Sequence, residues 1–162
     1  MKKISIIGLI IFILDQIVKL AIGFSIPLNR SKIIIKDFFS ISNVHNYGAA
    51  FSIFYGNRIL LIIVSLLALF LIYFFILRNL KNTKLEIITY SLLIGGILGN
   101  LLDRIIYGYV VDFFDFKIFG YNFPVFNIAD ICIVCSAILI IADTLRGYIN
   151  ENRSRKKWYK TR

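Results

Sequence analysis

A chain of 162 residues that is 59% hydrophobic, with a mean hydropathy of +0.80, holds more apolar surface than a soluble domain of this size needs. Its formal charge of +10 invites nucleic acid, but Lys2, Lys3, the loop cations Arg78, Lys81 and Lys84, and seven more from Arg146 onward make up twelve of the 19 Lys and Arg residues. Cations gathered beside apolar runs follow from the positive-inside rule and from attraction to anionic lipid, and they argue against DNA or RNA as the partner.

Taken in order, the chain opens with Lys2–Lys3 and an apolar run that resembles a signal peptide. No A-x-A-like site follows, and Asp15 and Lys19 interrupt the run, so residues 4–24 are expected to remain as a first membrane helix that starts in the cytoplasm. Asp15 and Lys19 are spaced i, i+4 on one face, roughly 16 Å in from Ile4. Ionisable groups at such depth face neighbouring helices in pairs. A structural ion pair is favoured over a direct chemical role, and Pro27 marks the exit.

Residues 28–56 have a different texture. KIIIKDFFSISNV is rich in β-branched and aromatic residues with partial alternation, which predicts one or two strands. NYGAAFS follows near it, from Asn46 to Ser52, with a polar amide at Asn46, a turn glycine at Gly48, and small residues before an aromatic. An edge here suits either peptide capture by strand addition or a cap on the helix ends. His45 is the only histidine, with Ser42 and Ser52 close in sequence. No G-x-S-x-G elbow supports a Ser-His-Asp hydrolase, so a solvated loop histidine is expected.

Residues 59–77 form a second span without a charge, and RNLKNTK returns the chain on the cytoplasmic side. The third span, 85–107, carries a small-xxx-small step at Gly95 and Gly99. Asn100, Asp103 and Arg104 follow at i, i+3 and i+4, a polar stripe that is either internal glue or a site. Its position beside the next stretch favours a site.

That stretch, Gly108 to Asp130, reads GYVVDFFDFKIFGYNFPVFNIAD and holds Asp112 and Asp130 between two apolar segments. Residues 108–124 are expected as a compact outer loop and 128–145 as the fourth span. Asn127 suits its N-cap with Asp130 at N3, and the helix dipole favours a carboxylate there. Capping would give Asp130 a structural role but leaves Asp112 unexplained. Asp143 and Arg146 are expected to pair at the cytoplasmic end, with 147–162 as a flexible basic cytoplasmic tail. Cys132 and Cys135 lack further metal ligands and an activated thiolate, and so are expected to be small packing residues.

The expected fold is therefore all-α and integral to the membrane. It is a four-transmembrane-helix bundle over residues 1–146 with a small extracytoplasmic β-rich cap and both termini cytoplasmic. Asn46, Asn100, Asp103, Arg104, Asp112, Asn127 and Asp130 all fall near the outer surface. Two aspartates in one place can share a proton and activate water with no metal or cofactor. Asn100 and Asn127 would orient the substrate backbone, while Arg104 would pair with Asp103 or anchor a polar group. A small transporter or lipid-binding protein using the same cluster is the alternative. The lack of an internal repeat and the placement of the cluster towards one surface favour the hydrolase.

At these residues the chain resembles the bacterial lipoprotein signal peptidases, signal peptidase II. The likeness rests on D-x-x-x-K at Asp15–Lys19, N-x-G-A-A-F-S from Asn46, G-G-x-x-G-N-x-x-D-R from Gly95 to Arg104, V-V-D-F from Val110 and F-N-x-A-D from Phe126. It implies an aspartic endopeptidase of the bacterial cell membrane, with Asp112 and Asp130 as the catalytic pair at the outer face. Asn46, Gly48, Asn100, Asp103, Arg104 and Asn127 would surround them, and Asp15 and Lys19 would support the site from the first helix. The implied substrate is a prolipoprotein cut just before a diacylglyceryl-modified cysteine, held in contact with membrane lipid. Globomycin-type inhibitors are expected to bind, and neither cofactor nor metal is implied.

Overall fold

The computed structural model describes residues 2–49, 53–81 and 83–160. Ala50, Phe51 and Ser52 of the NYGAAFS motif and Asn82 of the basic turn lie outside them. Four helices run in the order α1 (Lys2–Ser25), α2 (Arg58–Leu71), α3 (Lys84–Ile106) and α4 (Ile128–Lys160). Each contains or begins a stretch long and apolar enough to cross a membrane: Lys3–Ser25, Arg58–Ile76, Lys84–Ile106 and Ile128–Arg153. The second stretch leaves α2 through a π-helical turn at Ile72–Ile76. Burial in α1 is inverted relative to a soluble helix. Ile6, Leu9, Ile10, Ile13 and Ile17 are exposed, whereas Asp15 and Lys19 are buried. Hydrocarbon solvent rewards that inversion, since it takes up the apolar side chains and expels the charges.

Helix α3 is central, packing against α1 and α4 and less extensively against α2. Glycines permit the approach. A Cβ on Gly95 would fall 2.7 Å from the Gly8 carbonyl oxygen, and one on Gly99 2.5 Å from Asp15 Oδ2. Gly96, outside the small-xxx-small pair, does the same towards α4, where a Cβ would meet the Ala129 carbonyl oxygen at 2.6 Å. Close backbone approach replaces the hydrophobic drive that helices in lipid lack. A capping box starts α3, with Glu86 N donating to Thr83 Oγ1 and Thr83 N to Glu86 Oε2. At its other end the Arg58 guanidinium donates to the Arg104 and Ile105 carbonyls, a cation at the negative pole of the helix.

At the end of the helices where α1 and α3 finish and α4 begins lies an antiparallel sheet in the order β1-β2-β3-β4. Its strands are β1 (Ser31–Ile35), β2 (Phe39–Asn46), β3 (Val110–Ile118) and β4 (Tyr121–Asn122). The molecule is thus mostly helical with a small antiparallel sheet, and within residues 108–124 the chain forms β3 and β4 rather than a compact loop. Phe114 to Ile118 does alternate apolar and polar, a strand signal, but the flanking Phe113 and Phe119 interrupt the pattern. Backbone pairing with β2 places Asp112 opposite Val44 and Val111 opposite His45.

His45 is consequently a strand residue, not a solvated loop histidine. Its ring stacks on Tyr109 with centroids 3.6 Å apart, and burial pushes its pKa below the ordinary value. Ser42 donates to Asp115 rather than approaching His45 as a triad would require. The tail also differs from expectation, because α4 continues without a break to Lys160. Arg, Lys and Glu are good helix formers, and an existing helix extends more readily than a new one nucleates. Asp143 and Arg146 form no ion pair among the described residues. Such an exposed pair is worth only about 0.3 kcal/mol, too little to hold two long side chains together.

Candidate active site

Three segments converge at the sheet end of α3: the end of β2, the start of β3 and the first turn of α4. Asn127 and Asp130 cap α4 reciprocally, Asp130 N donating to Asn127 Oδ1 at 2.9 Å and Asn127 N to Asp130 Oδ2 at 3.2 Å. The cap leaves both free to do more. Asn127 Nδ2 donates to Asp112 Oδ1 at 2.6 Å, so one amide joins the two aspartates. Asp112 Oδ2 receives Asn46 Nδ2 at 2.9 Å, and Asp130 Oδ1 receives Asn100 Nδ2 at 2.7 Å.

The amide orientations follow from their other ends. Asn46 Oδ1 accepts the Gly48 N–H, Asn127 Oδ1 accepts the Asp130 N–H, and Asn100 Oδ1 accepts from the Lys19 ammonium. Each partner can only donate, so each amide must turn its NH2 towards a carboxylate. The sequence suggested that Asn100 and Asn127 orient a substrate backbone. In the structure both contact the aspartates.

The two carboxylates differ in burial. Asp112 is 2% exposed, whereas Asp130 is half-buried. Burial, reinforced by Asp130, pushes the Asp112 carboxyl up to about 7, despite the opposing effects of the Asn46 and Asn127 bonds and of Lys19. Asp112 therefore holds a proton near neutrality that an ordinary aspartate would have lost.

Beneath this pair lies a second cluster. Lys19 Nζ is 2.7 Å from Asp15 Oδ2 and 2.9 Å from Asp103 Oδ2, all three groups being nearly inaccessible. Asp15 Oδ1 accepts the Ala129 N–H at 2.9 Å, and Asp103 Oδ1 accepts Gln16 Nε2 at 2.9 Å. The helix-1 ion pair expected from the sequence is present and extends to α3. Arg104 does not pair with Asp103, whose partner is Lys19. Its Nη2 donates to the Gly48 carbonyl at 2.9 Å, fixing the turn after β2, and its buried Nε has no partner among the described residues.

Of the sequence-predicted residues, Asn46, Asn100, Asp112, Asn127 and Asp130 thus form one network, with Gly48 and Arg104 at its edge. Asp15, Lys19 and Asp103 form another, and Asn100 touches both. Sequence reasoning missed Gln16, Asn43 and Arg58. Gln16 had a signal, being a polar residue within an apolar span. Buried Asn43 ties β2 to the exit of α1 through the Ile26 carbonyl, a role that only the fold reveals. Among the described residues no three His, Cys, Asp or Glu side chains converge to hold a metal ion. Cys132 is buried, Cys135 exposed, and both are free thiols.

Residues 7–146 match the family model described as signal peptidase (SPase) II. A lipoprotein signal peptidase of Clostridium tetani is 42% identical over 142 residues, covering 87% of this chain and 91% of that protein. One from Staphylococcus aureus is 35% identical, covering 93% of each. A solved structure described as a bacterial membrane enzyme superposes with a TM-score of 0.83 at 37% identity, covering 93% of this chain and 92% of that one. A second so described gives 0.77 at 38% identity, covering 90% and 94%.

Proposed function

The chain belongs to the signal peptidase II family, and on that premise we propose that it works as an aspartic endopeptidase through Asp112 and Asp130. It is a multi-pass membrane peptidase, and its reaction is the removal of signal peptides from prolipoproteins. The observation that carries the aspartic reading is the single amide of Asn127, bonded at once to Asp112 and, as its helix cap, to Asp130. It holds a carboxyl that keeps its proton to about pH 7 beside a more open carboxylate at a helix N-terminus.

In this reading Asp130 is the base. It takes a proton from water as the water oxygen attacks the scissile carbonyl, while the Asp112 carboxyl donates to the carbonyl oxygen and polarises it. Collapse of the tetrahedral species breaks the C–N bond, and the amine leaves with a proton returned from the pair. Asn46, Asn100 and Asn127 keep the carboxylates oriented through the cycle. Lys19, Asp15 and Asp103 hold the helices beneath.

We place the site at the outer face of the membrane, with both termini and the basic end of α4 in the cytoplasm, from the positions of the cations. The substrate would present its bond just before a diacylglyceryl-modified cysteine, its acyl chains staying in lipid beside a bundle capped by the sheet. A globomycin-type inhibitor would occupy the same place. The test is purified protein in detergent with a diacylglyceryl-modified prolipoprotein, cleavage being read as a gel shift. Asp112→Asn and Asp130→Asn should each lose about 10³-fold or more in kcat, and the double variant little beyond either, because the two act as a unit. Turnover near that of the unaltered protein in either single variant would refute the mechanism.

A further inference from the structure

We propose that Lys19 is a positioning residue for the reaction, setting the separation of Asp112 and Asp130 and the orientation of the amide that serves Asp130. The inference rests on the two-aspartate reading above. Lys19 is 3% exposed, and its ammonium has three N–H donors and three acceptors: Asp15 Oδ2 at 2.7 Å, Asp103 Oδ2 at 2.9 Å and Asn100 Oδ1 at 3.0 Å. Each acceptor leads to the site. Asp15 holds the backbone N–H of Ala129, the residue before Asp130. Asp103 receives the backbone N–H of Val111, the residue before Asp112, at 3.4 Å. Asn100 donates directly to Asp130 at 2.7 Å. One ammonium thus gathers α1, α3, the first turn of α4 and the start of β3, and both aspartate-bearing segments hang from its carboxylate partners.

The third bond fixes a direction. An ammonium cannot accept, so Asn100 must face it with Oδ1 and face Asp130 with Nδ2. Turning the amide over would set NH2 against the ammonium and a carbonyl against a carboxylate, unfavourable at both ends. A structural ion pair needs only Asp15, so the contacts with Asp103 and Asn100 are what connect Lys19 to the chemistry.

Charge gives a readout that a scaffold alone would not move. The groups acting on Asp112 are Asp130 from α4, Lys19 from α1, Arg104 from α3, and the amides of Asn46 and Asn127. Lys19 favours ionised Asp112, so its removal should raise the pH at which Asp112 gives up its proton.

The experiment compares Lys19→Met and Lys19→Arg with the unaltered protein, using diacylglyceryl-modified prolipoprotein and measuring kcat, KM and kcat/KM across pH. Asp112→Asn and Asp130→Asn serve as controls in the same assay. Lys19→Met should lower kcat about 100-fold with KM within about threefold, and should shift the alkaline limb upward. Lys19→Arg keeps the charge, should insert and fold even if Lys19→Met does not, and should lose kcat about tenfold with the limb unmoved. Adding Asn100→Ala to either variant should cost little beyond Asn100→Ala alone. Variants that turn over normally, or lose kcat with additive effects and an unmoved limb in Lys19→Met, would overturn the proposal. The aspartate controls would still be dead in that case. Live controls would instead sink the two-aspartate reading itself.

Discussion

Two pairs of carboxylates share one molecule, and they are held in different ways. Asp15 and Asp103 face an ammonium, with Gln16 and the Ala129 N–H taking up further lone pairs. Asp112 and Asp130 receive only the amides of Asn46, Asn127 and Asn100 and the capping N–H of Asn127, and no cation lies within ion-pair distance of either among the described residues. The first pair shares one ammonium and ties helices together. The second retains a charge problem that it relieves by keeping a proton. Low-dielectric surroundings make an uncompensated carboxylate costly, and that cost is what makes it a useful acid near neutral pH.

The comparison can be broken by giving the second pair what the first has. Asn46→Lys would set an ammonium where an amide now donates to Asp112, holding that carboxyl ionised. The protein should stay folded and inserted while kcat falls about 10³-fold, measured by gel shift alongside thermal unfolding in detergent. The reverse change loosens the first pair. Asp103→Leu leaves Lys19 paired with Asp15 but strips the Gln16 amide of its acceptor, and should cost about 2 kcal/mol, read as a lower unfolding midpoint. Activity should fall as well, since the Val111 contact goes with it.

A comparable effect is expected where the two regions meet through backbone alone. Gly96→Ala drives a methyl against the Ala129 carbonyl, one residue before Asp130, and should cost about 2 kcal/mol and some kcat. Cys132→Ala with Cys135→Ala should leave turnover unchanged, as should EDTA, because the two-aspartate reading uses neither thiol nor metal. A folded double variant that lost activity would contradict this.

Much of this contrast was legible in the sequence, for identifiable reasons. Four apolar runs of about 20 residues announce membrane helices because the hydrocarbon core has a fixed thickness. Charged residues inside them, such as Asp15 and Lys19, announce partners, and span counting alone brings Asp112 and Asp130 to one surface. What stayed hidden depends on pairing and rotation. That β3 joins β2 is a contact between residues more than 60 positions apart, and no local alternation reports it. That Lys19 reaches Asp103 and Asn100 depends on which face α3 turns towards α1, which the glycines Gly95 and Gly99 decide only once both helices are in place. The Asn127–Asp130 cap was visible from spacing, but its second bond to Asp112 was not.

The most direct test of the account is the pH dependence of kcat/KM for cleavage of a diacylglyceryl-modified prolipoprotein, from pH 5 to 9, with the protein shown to stay folded throughout. Asp112 is raised from an ordinary 3.8 to about 7, so it carries its proton below that pH and loses it above. On the two-aspartate reading, catalysis needs that proton. The rate should hold up to neutrality and then fall towards tenfold per pH unit, with a midpoint of about 7 that belongs to the coupled pair. A rate that stays level or climbs between pH 7 and 9 would mean that no shared proton is used, and the distinction between the two carboxylate pairs would lose its chemical meaning.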